Sequence, residues 1–149
     1  MTIGNLLGGR LADSGPLRAV LILMPALILA LALLALVAKS AAGLWIGLFL
    51  VGVVTTAVSP AIQTRLMDVA GESQTLAAAT NHAALNIGNS LGAALGAAVI
   101  AGGLGYVAPT WVGVALATGG LIVALVSAGL QRRYGTPTGS IRLTRAPAT

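Results

Sequence analysis

The sequence predicts an all-α integral membrane protein built on four transmembrane helices. Three observations carry that reading. Only 7% of the residues are charged, whereas a soluble domain needs about a quarter to cover its surface. The mean hydropathy is +0.97 and 57% of the residues are hydrophobic. The charges are also segregated, leaving four long apolar runs between them, the pattern of a chain whose solvent is mostly lipid.

The first run covers residues 17–37, LRAVLILMPALILALALLALV. At about 1.5 Å per residue, roughly 20 helical residues cross a hydrocarbon core of about 30 Å, and this run has that length. It is too long for the apolar region of a signal peptide, and no small-residue cleavage site follows it. The second run, residues 44–63, and the fourth, residues 109–130, also have span length. The third, residues 79–103, exceeds it and is expected to tilt or protrude. Period-2 alternation is absent and Leu and Ala favour helix, so strands are not expected. Pro25 and Pro60 fall inside runs, where a membrane helix tolerates them as kinks. Pro109 opens the fourth run, a position that suits proline.

The whole chain, 1–149, thus forms a single membrane domain. Residues 1–16 are expected to be a cytoplasmic loop and residues 131–149 a disordered cytoplasmic tail, polar and rich in Pro and Gly. Arg10, Arg18, Arg65, Arg132, Arg133, Arg142 and Arg145 fall on one side of the four spans, and Lys39 alone falls on the other. The basic side is expected to be cytoplasmic, which places both termini there. The net charge of +5 is explained by this bias, and a basic tail without interleaved aromatics is a poor nucleic-acid ligand.

Polarity inside the spans is uneven. The first and fourth carry almost no polar side chains. On the third, His82, Asn86, Asn89 and Ser90 fall at i, i+4, i+7 and i+8, one helix face. Gly88, Gly92 and Gly96 form a ladder on a neighbouring face, which admits another helix backbone at close range. An amide without a partner in hydrocarbon costs about 2–7 kcal/mol, so the Asn86/Asn89 face is expected to meet protein or water. It either lines a substrate path or serves as interhelical glue. On the second span Thr56, Ser59 and Gln63 share a face, with Thr55 beside it. That face is a path candidate too, although Thr and Ser hydroxyls often bond their own helix. His82 reads as an interfacial or packing histidine rather than a proton carrier.

Enzyme chemistry finds no support in the residue inventory. There is one histidine, no cysteine, and three acids (Asp13, Asp68 and Glu72) that all lie outside the spans. No triad, metal cluster or phosphate loop can be assembled from these, and no cofactor is expected.

Two stretches resemble a known family. The N-terminal GGRLADSGPLR is similar to the cytoplasmic loop motif of the major facilitator superfamily, G-x-x-x-D-(R/K)-x-G-(R/K)-(R/K). Gly9, Asp13 and Arg18 match; Ser14, Pro16 and Leu17 depart from it, and Gly15 is displaced by one. The stretch from Ser59 to Ile100, with its N-x-G-N-x-x-G-x-x-x-G core at Asn86, Gly88, Asn89, Gly92 and Gly96, resembles spans ten to eleven of bacterial drug and sugar efflux permeases of the arabinose-efflux and chloramphenicol-resistance type. GLGYVAPTWVG is similar to the loop before the last span.

The resemblance implies that the four runs are spans nine to twelve of a twelve-span, inner-membrane efflux permease, with proton-coupled export of drugs or sugars. It implies a conformation-holding role for Asp13 and Arg18, and a path-lining role for the polar faces of the second and third spans. The fold is built from three-helix repeats, so four spans are expected to be an incomplete transporter, inactive alone. The expected partners are the lipid bilayer, a small-molecule substrate, and the missing N-terminal half or another membrane chain. Two alternatives stand beside this reading. One is a four-span small multidrug transporter working as a dimer, which would need the first-span acid absent here. The other is a non-transporting membrane scaffold.

Overall fold

The computed structural model describes residues 2–134. Five helices follow one another: α1 Thr2–Ser14, α2 Pro16–Val37, α3 Ala41–Ala70, α4 Gln74–Ala101 and α5 Ala108–Tyr134. No strand occurs among the described residues. The last four are long and apolar enough to cross a membrane, so the chain is an all-α, multi-pass membrane protein. The tail from residue 135 onward, with Arg142 and Arg145, lies outside the described residues.

Each helix stops for a local reason. Gly15 takes φ 150°, a value L side chains rarely adopt, and Pro16 then opens α2 at its first turn. One glycine therefore reverses the chain between α1 and α2. At the other end of α2, the Ser40 Oγ accepts the Gly43 N–H at 3.1 Å and caps α3. Gly71 at φ 52° ends α3, and Gly103 and Gly105 carry the chain from α4 into α5 with φ of 76° and 82°. Pro25 and Pro60 sit within α2 and α3 without ending them.

Within the stretch 1–16, expected to be a cytoplasmic loop, residues 2–14 form the helix α1. Gly4, Gly8 and Ala12 recur every fourth residue along α1 and are all buried. A Cβ on Gly8 would run into the backbone of Ala57, and one on Gly4 would meet the Thr56 hydroxyl and the Val53 carbonyl. The α1 and α3 backbones are thus in direct contact. Because Gly4 faces Val53 and Thr56 while Gly8 faces Ala57, the two helices run in the same direction. Small residues at this spacing are what permits so close an approach. The same stretch carries the matched loop-motif residues: Gly9 and Asp13 are on α1, and Arg18 is in the first turn of α2.

The core is small-sided. Ala12, Ala19, Val20, Leu23, Met24, Ala57, Val58 and Ala61 are buried together, with Leu27, Leu121 and Ala124 packed around them. α2 is the hub, touching α1, α3 and α5; α4 touches only α3 and α5, and α3 and α5 do not meet. Gly47 receives Leu34, and Gly120 receives the Met24 methyl. The turns at Gly15 and at Gly71–Ser73 lie at the same end of the helices as the close of α5. That basic end holds Arg10, Arg18, Arg65 and Arg133, and Lys39 lies at the other.

The contact at Gly8 is testable because Gly9 beside it has open space where a Cβ would stand. Gly8→Ala must push α1 off α3, at a cost of about 1–3 kcal/mol by analogy with overpacked cores. Gly9→Ala, gaining helix propensity, should be neutral or slightly stabilising. Thermal melts of the helical signal in detergent will show a lowered Tm for the first variant alone. A second melt will test the cap, where Ser40→Ala is expected to cost about 1 kcal/mol.

Candidate functional site

Polar side chains within the four long helices divide into those satisfied by their own helix and those that are not. The Thr56 hydroxyl donates to the Gly52 and Val53 carbonyls, each at 2.9 Å. Ser90 Oγ donates to the Asn86 carbonyl at 3.0 Å, Thr80 to Leu76 at 2.8 Å and Thr118 to Val114 at 2.7 Å. A hydroxyl one turn along a helix reaches that carbonyl with ease. An asparagine amide carries two donors and an acceptor, and none of the side-chain hydrogen bonds among the described residues is made by the Asn86 or Asn89 side chain.

The surroundings of these two amides set α4 apart. No residue of this helix is buried. Ala77, Ala78 and Asn81 near its start, and Gly92, Leu95, Gly96 and Val99 toward its end, are half-buried; every residue from His82 to Leu91 is exposed. α4 is therefore held near its two ends and bare on all sides through its middle. Asn86, Ile87, Ser90, Leu91 and Ala94 border a hollow of about 480 Å³ on that bare stretch.

The glycine ladder is engaged at one rung only. A Cβ on Gly96 would lie 3.7 Å from the Pro109 side chain, while Gly88 and Gly92 have nothing within 4 Å.

On α3 the structure redraws the predicted face. Thr56 is half-buried beneath α1, beside Gly4, whereas Ser59 and Gln63 are exposed, and so is Thr55. The exposed polar stripe of this helix is Thr55, Ser59 and Gln63, with Thr56 turned to the packed side. On the helix Ser59 lies between Thr55 and Thr56, about 40° from one and about 60° from the other, so periodicity alone does not say which shares its face. The position of α1 decides, and α1 was expected to be a loop. Pro60, Gln63, Thr64 and Met67 border a hollow of about 350 Å³. This hollow and the one on α4 share no residue, so the two stripes are not joined in one cavity.

Asp13 and Arg18 are exposed on either side of the Gly15 turn. His82 is exposed on α4. No group of three or more His, Cys, Asp or Glu side chains capable of holding a metal ion occurs among the described residues.

A further concavity was not anticipated from the sequence. It measures about 660 Å³ and lies between α3 and α5 over α2, with Arg65, Ser127 and Gln131 as its polar members. Arg65 lies past the second apolar run, yet α3 continues through it to Ala70. No helix breaker lies between Pro60 and Gly71, which is the signal that would have placed it.

Comparison with known proteins gives this geometry a context. No protein-family model matches the chain, and no solved structure matches it. The inner membrane transport protein YdhP of Escherichia coli is 41% identical over 133 residues, covering 87% of this chain and 33% of that protein. Its counterpart in a second strain of the same species matches to the same extent. The chain spans about a third of the length of the curated relatives it matches, and over most of its own length it is similar to a membrane transport protein.

Proposed function

We propose that this chain is the C-terminal part of an inner-membrane transporter of the major facilitator superfamily, exporting drugs or sugars in exchange for protons. The observation that carries the reading is the bare middle of α4. Two amides without partners at mid-helix would each cost about 2–7 kcal/mol facing hydrocarbon, so protein or water must cover them. A relative about three times as long supplies a source for that cover. The opposing wall comes from the rest of the transporter, and the face bearing Asn86, Asn89 and Ser90 lines or supports the substrate path. Ser59 and Gln63 of α3 border the same path, with Thr55 in the place expected for Thr56.

α1 then has a natural place. It lies alongside the middle of α3 with three small residues buried against it, as the end of a further span would. Gly9, Asp13 and Arg18 follow at the basic end, which we place in the cytoplasm by its excess of arginine. Alternating access needs one half of such a fold to rock against the other. The chain by itself is inactive in transport.

Two measurements test this. An antibody against the tail sequence RLTRAPAT, used on source membranes, should detect a band near three times the 14.7 kDa of this chain. A single band at 14.7 kDa would overturn the proposal that the four spans belong to a longer transporter. The second test uses the absence of cysteine from these 149 residues, with any cysteine elsewhere in the longer protein changed to Ser. In the longer protein, Asn86→Cys and Asn89→Cys should react with a hydrophilic maleimide at least about tenfold faster than Leu95→Cys on the opposite face of α4. Equal, slow labelling at all three would assign the amides to interhelical hydrogen bonding and remove them from the path.

A further inference from the structure

The cleft between α3 and α5 is separate from the polar stripes of α3 and α4. Its floor is Val20 and Met24 of α2, and its apolar walls include Leu66 on α3 and Val123 and Ala124 on α5. α3 and α5 do not touch, so the cleft is a gap bridged underneath by α2. Its polar members gather at one end. Arg65 is one to two turns from the end of α3, Ser127 and Gln131 lie in the last two turns of α5, and no acidic side chain lines the cleft. The result is an apolar trough of about 660 Å³ that carries the half-buried Arg65 with Gln131 and Ser127 toward its basic end.

We infer that this cleft binds an anionic phospholipid from the leaflet at the basic end. The acyl chain lies in the trough, and the phosphate is held by Arg65 with Gln131 and Ser127. The charge pattern selects this occupant. A guanidinium offers a planar fork of donors that matches a phosphate, and basic pockets between transmembrane helices hold anionic headgroups. An arginine that merely extends to the interface would show no preference among headgroups of equal size and would not need two polar neighbours from another helix.

The test uses the longer protein reconstituted in vesicles, with its tryptophans, Trp45 and Trp111 among them, changed to Phe so that one introduced tryptophan reports. Val69→Trp places it at the mouth of the cleft, where Val69 is 56% exposed. Leu130→Trp, 50% exposed near the same end of α5 but outside the cleft lining, is the control. Each is quenched by brominated phosphatidylglycerol or brominated phosphatidylcholine in a mixed bilayer. Quenching at Val69→Trp should favour the brominated anionic lipid roughly fivefold, as expected for one arginine at the surface of a bilayer. The preference should vanish with Arg65→Gln and persist in reduced form with Arg65→Lys, while Leu130→Trp shows none. Helical content is checked for each variant by circular dichroism. Equal quenching by both lipids at Val69→Trp would overturn the inference. So would protection from both, which would mean that protein closes or fills the cleft, or a preference unchanged in Arg65→Gln.

Discussion

Everything in this chain answers to one constraint: in hydrocarbon a polar group must find its partner within the protein. The backbone meets it by remaining helical, from Pro16 through Tyr134 with only short turns between. The hydroxyl side chains of Thr56, Thr80, Ser90 and Thr118 meet it locally, each bonding a carbonyl three or four residues back on its own helix. No polar side chain is buried among the described residues. The amides of Gln63, Asn86 and Asn89 are the exception, because none of them bonds to its own helix. This difference between hydroxyl and amide divides the molecule. α3 carries one such amide in Gln63, and α4 carries two in its bare middle. α4 depends on something outside the described helices.

Small residues act the same way under different circumstances. Between helices in lipid there is little hydrophobic drive, so close van der Waals packing must hold them. The ladder of Gly4, Gly8 and Ala12 is filled by α3, down to backbone contact at Ala57. The ladder of Gly88, Gly92 and Gly96 is filled only where Pro109 reaches Gly96. Two ladders of the same spacing in one chain, one occupied and one nearly empty, show that the spacing itself does not specify occupancy. It specifies a backbone that tolerates a close neighbour. Which neighbour arrives depends on the rest of the assembly.

The existence of α2 to α5 was legible in the sequence because hydrocarbon thickness sets a length that each apolar run must reach. Their ends were not. α3 runs past its apolar run through Thr64, Arg65 and Asp68, since nothing there disfavours helix until Gly71. α1 escaped notice for the converse reason: it is too short and mixed to look like a span, and its stability comes from the face it sets on α3. The stripe of Asn86, Asn89 and Ser90 was readable because helical periodicity alone places those residues together. The choice between Thr55 and Thr56 was not, because it turns on where α1 lies. The cleft at Arg65 was out of reach entirely, as it joins three helices that approach one another only in the folded chain.

The same geometry limits what these helices can do by themselves. A conduit needs walls on every side, and the two polar hollows, at Gln63 on α3 and at Asn86 on α4, are separate concavities, each bordered by one helix. No rearrangement within the hub of α2 would close them, since α2 touches α3 and α5 but not α4. α4 is fixed near Asn81 at one end and near Gly96 at the other, with its polar middle turned to open space. A helix secured in that way is one side of an interface. The amides are placed where a second wall would meet them, and the wall must come from outside the described helices.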